Sequence, residues 1–271
     1  MIRRHDAERF LLISQHDHAL LSGKLAEALG NQRFAPPDPR DQVIQATALH
    51  DNGWRDPDER PTLNPKGLPT DVFENPLPLS LEAWAASADY AEQNTSPYTA
   101  LLVSLHGHHL SAFAAGNPHT ASEVFELRKF QQREIERQER LRQCLGLRND
   151  IPRNIGLAVG SGPAEDQLAY NFGVIQVADR ISLGILCTKL VFPEIPNIRT
   201  RPQAQPMTLK LQRPDMNTLC VDPWPFGPQQ LDLSVPCRPV PARAYSAEQE
   251  LHELFGAAPI EHVHIVIRPG S

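Results

Sequence analysis

Apolar positions along the chain follow two rhythms, and each predicts a different kind of element. Residues 8–14, with the apolar run Phe10 to Ile13, read as a short strand or buried lead-in. From about Asp17 the spacing of Leu21, Leu25, Ala28 and Leu29 has helical period and should stop near Gly30. After a Pro-rich loop at 35–40, Val43, Ile44, Thr47 and Ala48 predict a second helix that carries Leu49-His50-Asp51 and breaks at Gly53. Residues 56–78 are dense in Pro, Gly, Asn and Asp and read as a long surface loop. Helical spacing returns at 81–92 and again at 98–110, where it ends in a histidine cluster.

Residues 121–146 hold eleven charged side chains among loosely periodic apolar ones, which suits a solvated helix with one narrow packed face. A Gly/Pro/Ser loop at 149–164 follows. Its Gly160-Ser161-Gly162 lacks the context of a phosphate-binding loop. A last core helix is expected at 165–190, with Asp179 in its middle. Beyond 192 the rhythm switches to alternation, at 207–211, 219–221, 231–235 and 262–267, with a helix near 247–255. The pattern predicts a mainly α protein: a helical domain over 1–191, and over 192–271 a small Pro-rich β appendage packed on it.

Composition narrows the function classes. A chain of 271 residues buries a core without staples, and a net charge of -6 argues against nucleic acid and anionic membrane as partners, leaving a small molecule. No stretch approaches the roughly 20 apolar residues of a membrane span, and the N-terminal run is too short for a signal segment. A cytoplasmic location is expected. The four cysteines stand far apart and read as reduced, structural residues. His262 and His264 alternate on a terminal strand without a carboxylate partner and read as surface residues.

Four of the predicted helices each offer a metal-ligand type at one place: His18, His50 with Asp51, His106 and Asp179. Imidazole and carboxylate without thiolate suit Fe, Mn, Co, Ni or Zn, as one or two ions. Asp179 is the most telling of them. Its neighbours Val177, Ala178, Ile181 and Leu183 are apolar, and a buried carboxylate there needs a cation.

These residues also carry a resemblance. Gln15-His16-Asp17-His18-Ala19, His50-Asp51-Asn52-Gly53-Trp54, Tyr98 through Ser104-Leu105-His106 and Asp179-Arg180-Ile181-Ser182-Leu183 follow the order of the HD-domain superfamily of metal-dependent phosphohydrolases. With Asp222-Pro223-Trp224-Pro225-Phe226 added, the chain resembles end to end a bacterial family of HD-like proteins without an assigned function. The resemblance implies an HD-like helical bundle, His18 rather than His16 as first ligand, and His106 as a further one. It leaves His108 and His109 for a second ion or the substrate. Asn52-Gly53-Trp54 departs from the superfamily's usual turn, which carries a phosphate-contacting basic residue.

The implied activity is hydrolysis of a small phosphorylated or phosphoester substrate by a metal-bound water. Asp51 would orient the water, and His106 or His109 would serve the leaving oxygen. Trp54, Arg55, Arg180 and Lys189 would meet the substrate. Two other readings stand beside it: oxygen chemistry at a di-iron site on the same fold, and a non-catalytic metal-containing binding module. For the segment 222–226, plugging the β part onto the helices is the plainer reading, and lining the pocket the other.

Overall fold

The computed structural model describes residues 1–117, 119–147 and 162–270. The predicted loop at 149–164 lies largely outside them, as do Gly160 and Ser161. The chain opens with two strands, β1 (Ile2–Asp6) and β2 (Arg9–Ile13), and then runs through α1 (Gln15–Ala28), α2 (Arg40–Leu49) and the short α3 (Arg55–Glu59). The long helices α4 (Leu77–Asn94), α5 (Pro97–Ala114), α6 (Ala121–Cys144) and α7 (Pro163–Leu186) follow. The rest is β3 (Glu194–Ile198), β4 (Met207–Asp215), β5 (Thr218–Asp222), β6 (Leu231–Pro241), α8 (Glu248–Ala257) and β7 (Glu261–Pro269).

All seven strands belong to one curled sheet, ordered β1-β2-β6-β7-β5-β4-β3. The first two strands form a hairpin that turns at Ala7, whose φ is 49°, and β2 joins β6 antiparallel, pairing Phe10 with Val240. Strands from both ends of the chain therefore share a sheet, and β5 lies parallel to β7. This corrects the expected helical bundle with a small β appendage. The sheet is a large layer beside the helices: its strand pairing is non-local, and the N-terminal strands are too short to announce it in the sequence.

The main core lies between the sheet and the helices. Leu11, Ile13, Val235, Val263, Ile265 and Ile267 from the strands meet Leu21, Leu25, Ile175, Ile181 and Ile185 from α1 and α7. On the opposite face Phe10, Leu12 and Val240 pack with Tyr245 and with Leu251 of α8.

Two devices fix the helices that carry the site. α7 has no basic residue in its last turn, and the sheet supplies the missing caps. Arg4 of β1 donates to the Ile185 carbonyl at 2.7 Å, and Arg213 of β4 to the Cys187 and Thr188 carbonyls at 2.6 and 2.7 Å. α1 is held at both ends. Ser14 caps its start by accepting from the Asp17 N–H at 2.9 Å, and the 222–226 segment pins its end. There Gly30 N–H donates to Pro225 O at 3.0 Å, Asn31 Nδ2 donates to the Trp224 and Phe226 carbonyls, and Phe226 is buried.

The charge-rich α6 also differs from its expectation as a solvated helix. Its Glu134 and Arg137 are buried, and they bind each other, Ser104 of α5, and Asp89 and Glu92 of α4.

Candidate metal centre

α1, α2, α5 and α7 pack side by side, and each turns one ligand-type residue, or a pair of them, to a common interior point. His18, His50 and His106 are each 1% exposed, Asp51 7% and Asp179 8%, so water does little to balance their charges. His18 Nε2 lies 3.0 Å from Asp179 Oδ1 and 3.9 Å from Asp51 Oδ2. His50 Nε2 lies 3.6 Å from Asp51 Oδ2 and 3.7 Å from Asp179 Oδ1. The His106 ring stands against that of His50, centroid to centroid 4.6 Å. Two overlapping trios, His18/His50/Asp179 and His50/Asp51/His106, have ligand atoms within 4.8 Å of one another.

The arrangement is short of protons. His50 Nδ1 donates to the Thr47 carbonyl at 2.7 Å, and a carbonyl only accepts, so in the neutral ring Nε2 is a bare lone pair. Among the described residues that Nε2 is buried without a hydrogen-bond partner, as are Asp51 Oδ1 and His106 Nδ1. Acceptors turned on acceptors in a dry interior need a shared cation. The donor set, imidazole and carboxylate without sulfur, fits a divalent transition ion.

The electrostatics of the cluster favour positive charge at that point. Burial pulls His50 down, but the carboxylates of Asp51 and Asp179 outweigh it and lift the ring to about 9. Burial pushes Asp179 up, and the neighbouring imidazoles of His18, His50 and His106 more than reverse that, holding it well below the usual carboxylate range. Asp51 is raised, because burial prevails over its attraction to His50 and His18. Burial and the charge on His50 keep His106 neutral.

Local sequence explains how the pieces arrive. Asp179 and Ser182 stand one turn apart on α7 and bracket the His18 ring, with Ser182 Oγ 2.7 Å from Nδ1. The turn after His50-Asp51 docks on α4, where Gly53 N–H donates to Ser87 Oγ at 2.8 Å. A Cβ at Gly53 would collide with the Ala83 carbonyl, so only glycine allows this approach.

The structure does not bring every candidate to the site. Trp54 is 2% exposed, and its indole Nε1 is buried without a hydrogen-bond partner among the described residues. Lys189 is exposed beyond the end of α7. Arg55 is exposed at the start of α3, close enough to depress His16, which burial lowers first. His108 points to α6, with Nδ1 3.5 Å from Gln138 Nε2.

His109 and Arg180 do stand beside the centre. The His109 ring packs edge-on against Phe113 and Phe172, its Nε2 is buried without a partner, and burial and then Arg180 push it down to about 4. Among the described residues the Arg180 guanidinium has no hydrogen-bond partner and lies 5.9 Å from the Phe192 ring centre. Sequence reasoning missed Thr47 and Ser182. Ser182 left a trace, three positions after Asp179, whereas Thr47 acts through its backbone.

With this geometry in view, comparison with known proteins is informative. The profile of a family described as "Protein of unknown function (DUF3891)" matches residues 1–242. The chain belongs to that family. The match covers α1, α2, α5 and α7, which position the centre's residues, yet the family carries no assigned activity. It replaces the HD-domain assignment drawn from the motifs, which the seven-stranded sheet also contradicts. Searches of curated proteins and of solved structures give no match. No helix among the described residues is long and apolar enough to cross a membrane.

Proposed function

We propose that the protein is a metal-dependent hydrolase acting on a small phosphorylated or phosphoester substrate. One observation carries the reading: five buried ligand-type side chains, on or just past the ends of four helices, converge, leaving His50 Nε2, Asp51 Oδ1 and His106 Nδ1 without a partner among the described residues. His18, His50, His106, Asp51 and Asp179 would hold the ion. When bound, a divalent transition ion lowers the pKa of a coordinated water toward neutrality and offsets negative charge on the substrate.

The remaining residues take their roles from position and charge. Asp51, raised by burial, is the carboxylate suited to orient or receive a proton from an attacking water. Arg180, a guanidinium without a hydrogen-bond partner among the described residues, supplies the fork that matches a phosphate. His109 is held neutral, so it meets a leaving oxygen as an N–H hydrogen-bond donor and does not deliver a proton from the cationic form.

The test is hydrolysis of an aryl phosphomonoester and an aryl phosphodiester by the metal-stripped chain reloaded with Mn2+, Co2+ or Ni2+. Activity that needs the metal and falls at least about 100-fold in Asp179→Ala supports the reading. Turnover that is equal in the parent and in folded Asp179→Ala, or absent with every metal, overturns it.

A further inference from the structure

We infer that the centre holds one ion, not two. This rests on the metal reading above and deepens it by fixing the kind of chemistry the site can do. Two overlapping trios of ligands look at first like two adjacent sites. They share His50, and His50 has a single nitrogen to give. Its Nδ1 is committed to the Thr47 carbonyl at 2.7 Å, and its Nε2 faces Asp51 and Asp179 at 3.6 and 3.7 Å. A neutral imidazole nitrogen has one lone pair and serves one metal. Both trios therefore describe the surroundings of the same point.

The spacings agree. Metal–nitrogen and metal–oxygen bonds of about 2.0–2.2 Å place neighbouring donors of one shell about 2.8–3.6 Å apart. The four imidazole-to-carboxylate distances are 3.0, 3.6, 3.7 and 3.9 Å, a slightly relaxed version of that shell. A pair of ions about 3.5–4 Å apart spreads its terminal donors well beyond this spacing and needs more of them. The extra histidines on α5 do not provide them. His108 faces Gln138 on the α6 side, His109 sits between Phe113 and Phe172, and neither joins a converging group among the described residues.

The consequence is a choice between reaction classes. One ion supplies a Lewis acid and a single activated water. It supplies neither the second ion of a two-metal displacement nor the iron pair that di-iron oxygen chemistry requires.

Counting decides it on the full chain. The protein is stripped of metal, incubated with excess Mn2+, desalted, and examined by elemental analysis and electron paramagnetic resonance. One Mn2+ per chain with an uncoupled spectrum is expected, and the same count in His108→Ala. Two per chain, or an exchange-coupled spectrum, overturns the single-ion inference and leaves the metal reading standing. No retention of Mn2+, Co2+ or Zn2+ by the folded parent overturns the metal reading, and this inference with it.

Discussion

Two clusters of charge lie among the helices, and they are balanced in opposite ways. Between α4 and α6, three guanidiniums, Arg133, Arg137 and Arg140, meet three carboxylates, Asp89, Glu92 and Glu134. Glu134 is fully buried, yet it accepts from Arg137 at 3.1 Å and from Ser104 Oγ at 2.7 Å. At the candidate metal centre two carboxylates face three imidazoles, and among the described residues no Lys or Arg is bonded to either and three ligand atoms have no partner. A cluster closed by the chain's own cations is structural, since nothing is left to bind. A cluster closed only by a shared proton is open to an exchange of that proton for an ion.

The comparison breaks most visibly at Arg137. Arg137→Ala would leave Glu134 charged and unpaired in the interior, and chemical denaturation should show a loss of about 3–5 kcal/mol. A loss under 1 kcal/mol would mean that the α6 cluster is not the clamp described here. The metal centre should respond to its ion instead. Metal at 100 times its dissociation constant should raise the unfolding free energy of the parent by about 2.7 kcal/mol, and that of Asp179→Ala by nothing measurable. Equal stabilisation of both would place the ion elsewhere.

Ser182 sharpens the contrast further. Its hydroxyl orients His18 through Nδ1, so Ser182→Ala should weaken metal binding about 10–100-fold in a chelator competition, with the fold intact by circular dichroism. Unchanged affinity would remove Ser182 from the centre.

A smaller effect is expected from pH in the metal-free protein. His50 is raised from 6.5 to about 9, so the proton it holds stabilises the folded chain fully below about pH 6.5 and progressively less as pH rises through 9. Thermal unfolding across that window should therefore show falling stability without metal, and a flatter profile with it. Smallest of all is Lys129→Ala, which removes an exposed partner of Glu126 and should leave stability unchanged within error.

The two clusters also differ in how far they could be read before the fold was known. Asp179 stood out because its neighbours are apolar, where a carboxylate is costly without a partner, while His18, His50, Asp51 and His106 stood out as ligand types on separate predicted helices and through the motif resemblance. The α6 cluster was invisible. Glu134 and Arg137 look like any two members of a solvated charge run, and only the approach of α4 and α5 buries them. Trp54 and Lys189 were candidates by nearness in sequence to a ligand, and only the fold shows where each one lies. Trp54 turns into the interior after Gly53 docks on α4, and Lys189 falls past the end of α7.

By itself the sequence determined the helices, most of the strands after residue 200, and the residue types that meet at the centre, because these follow from local period and from the cost of burying charge. The tertiary structure alone decided the sheet, the sharing of His50, and the outer partners Thr47 and Ser182. Strand β2 finds β6 more than two hundred residues away, and Arg4 and Arg213 cross from the sheet to cap α7. Such pairings depend on which surfaces are left to be covered once the helices have packed, and no local pattern encodes that.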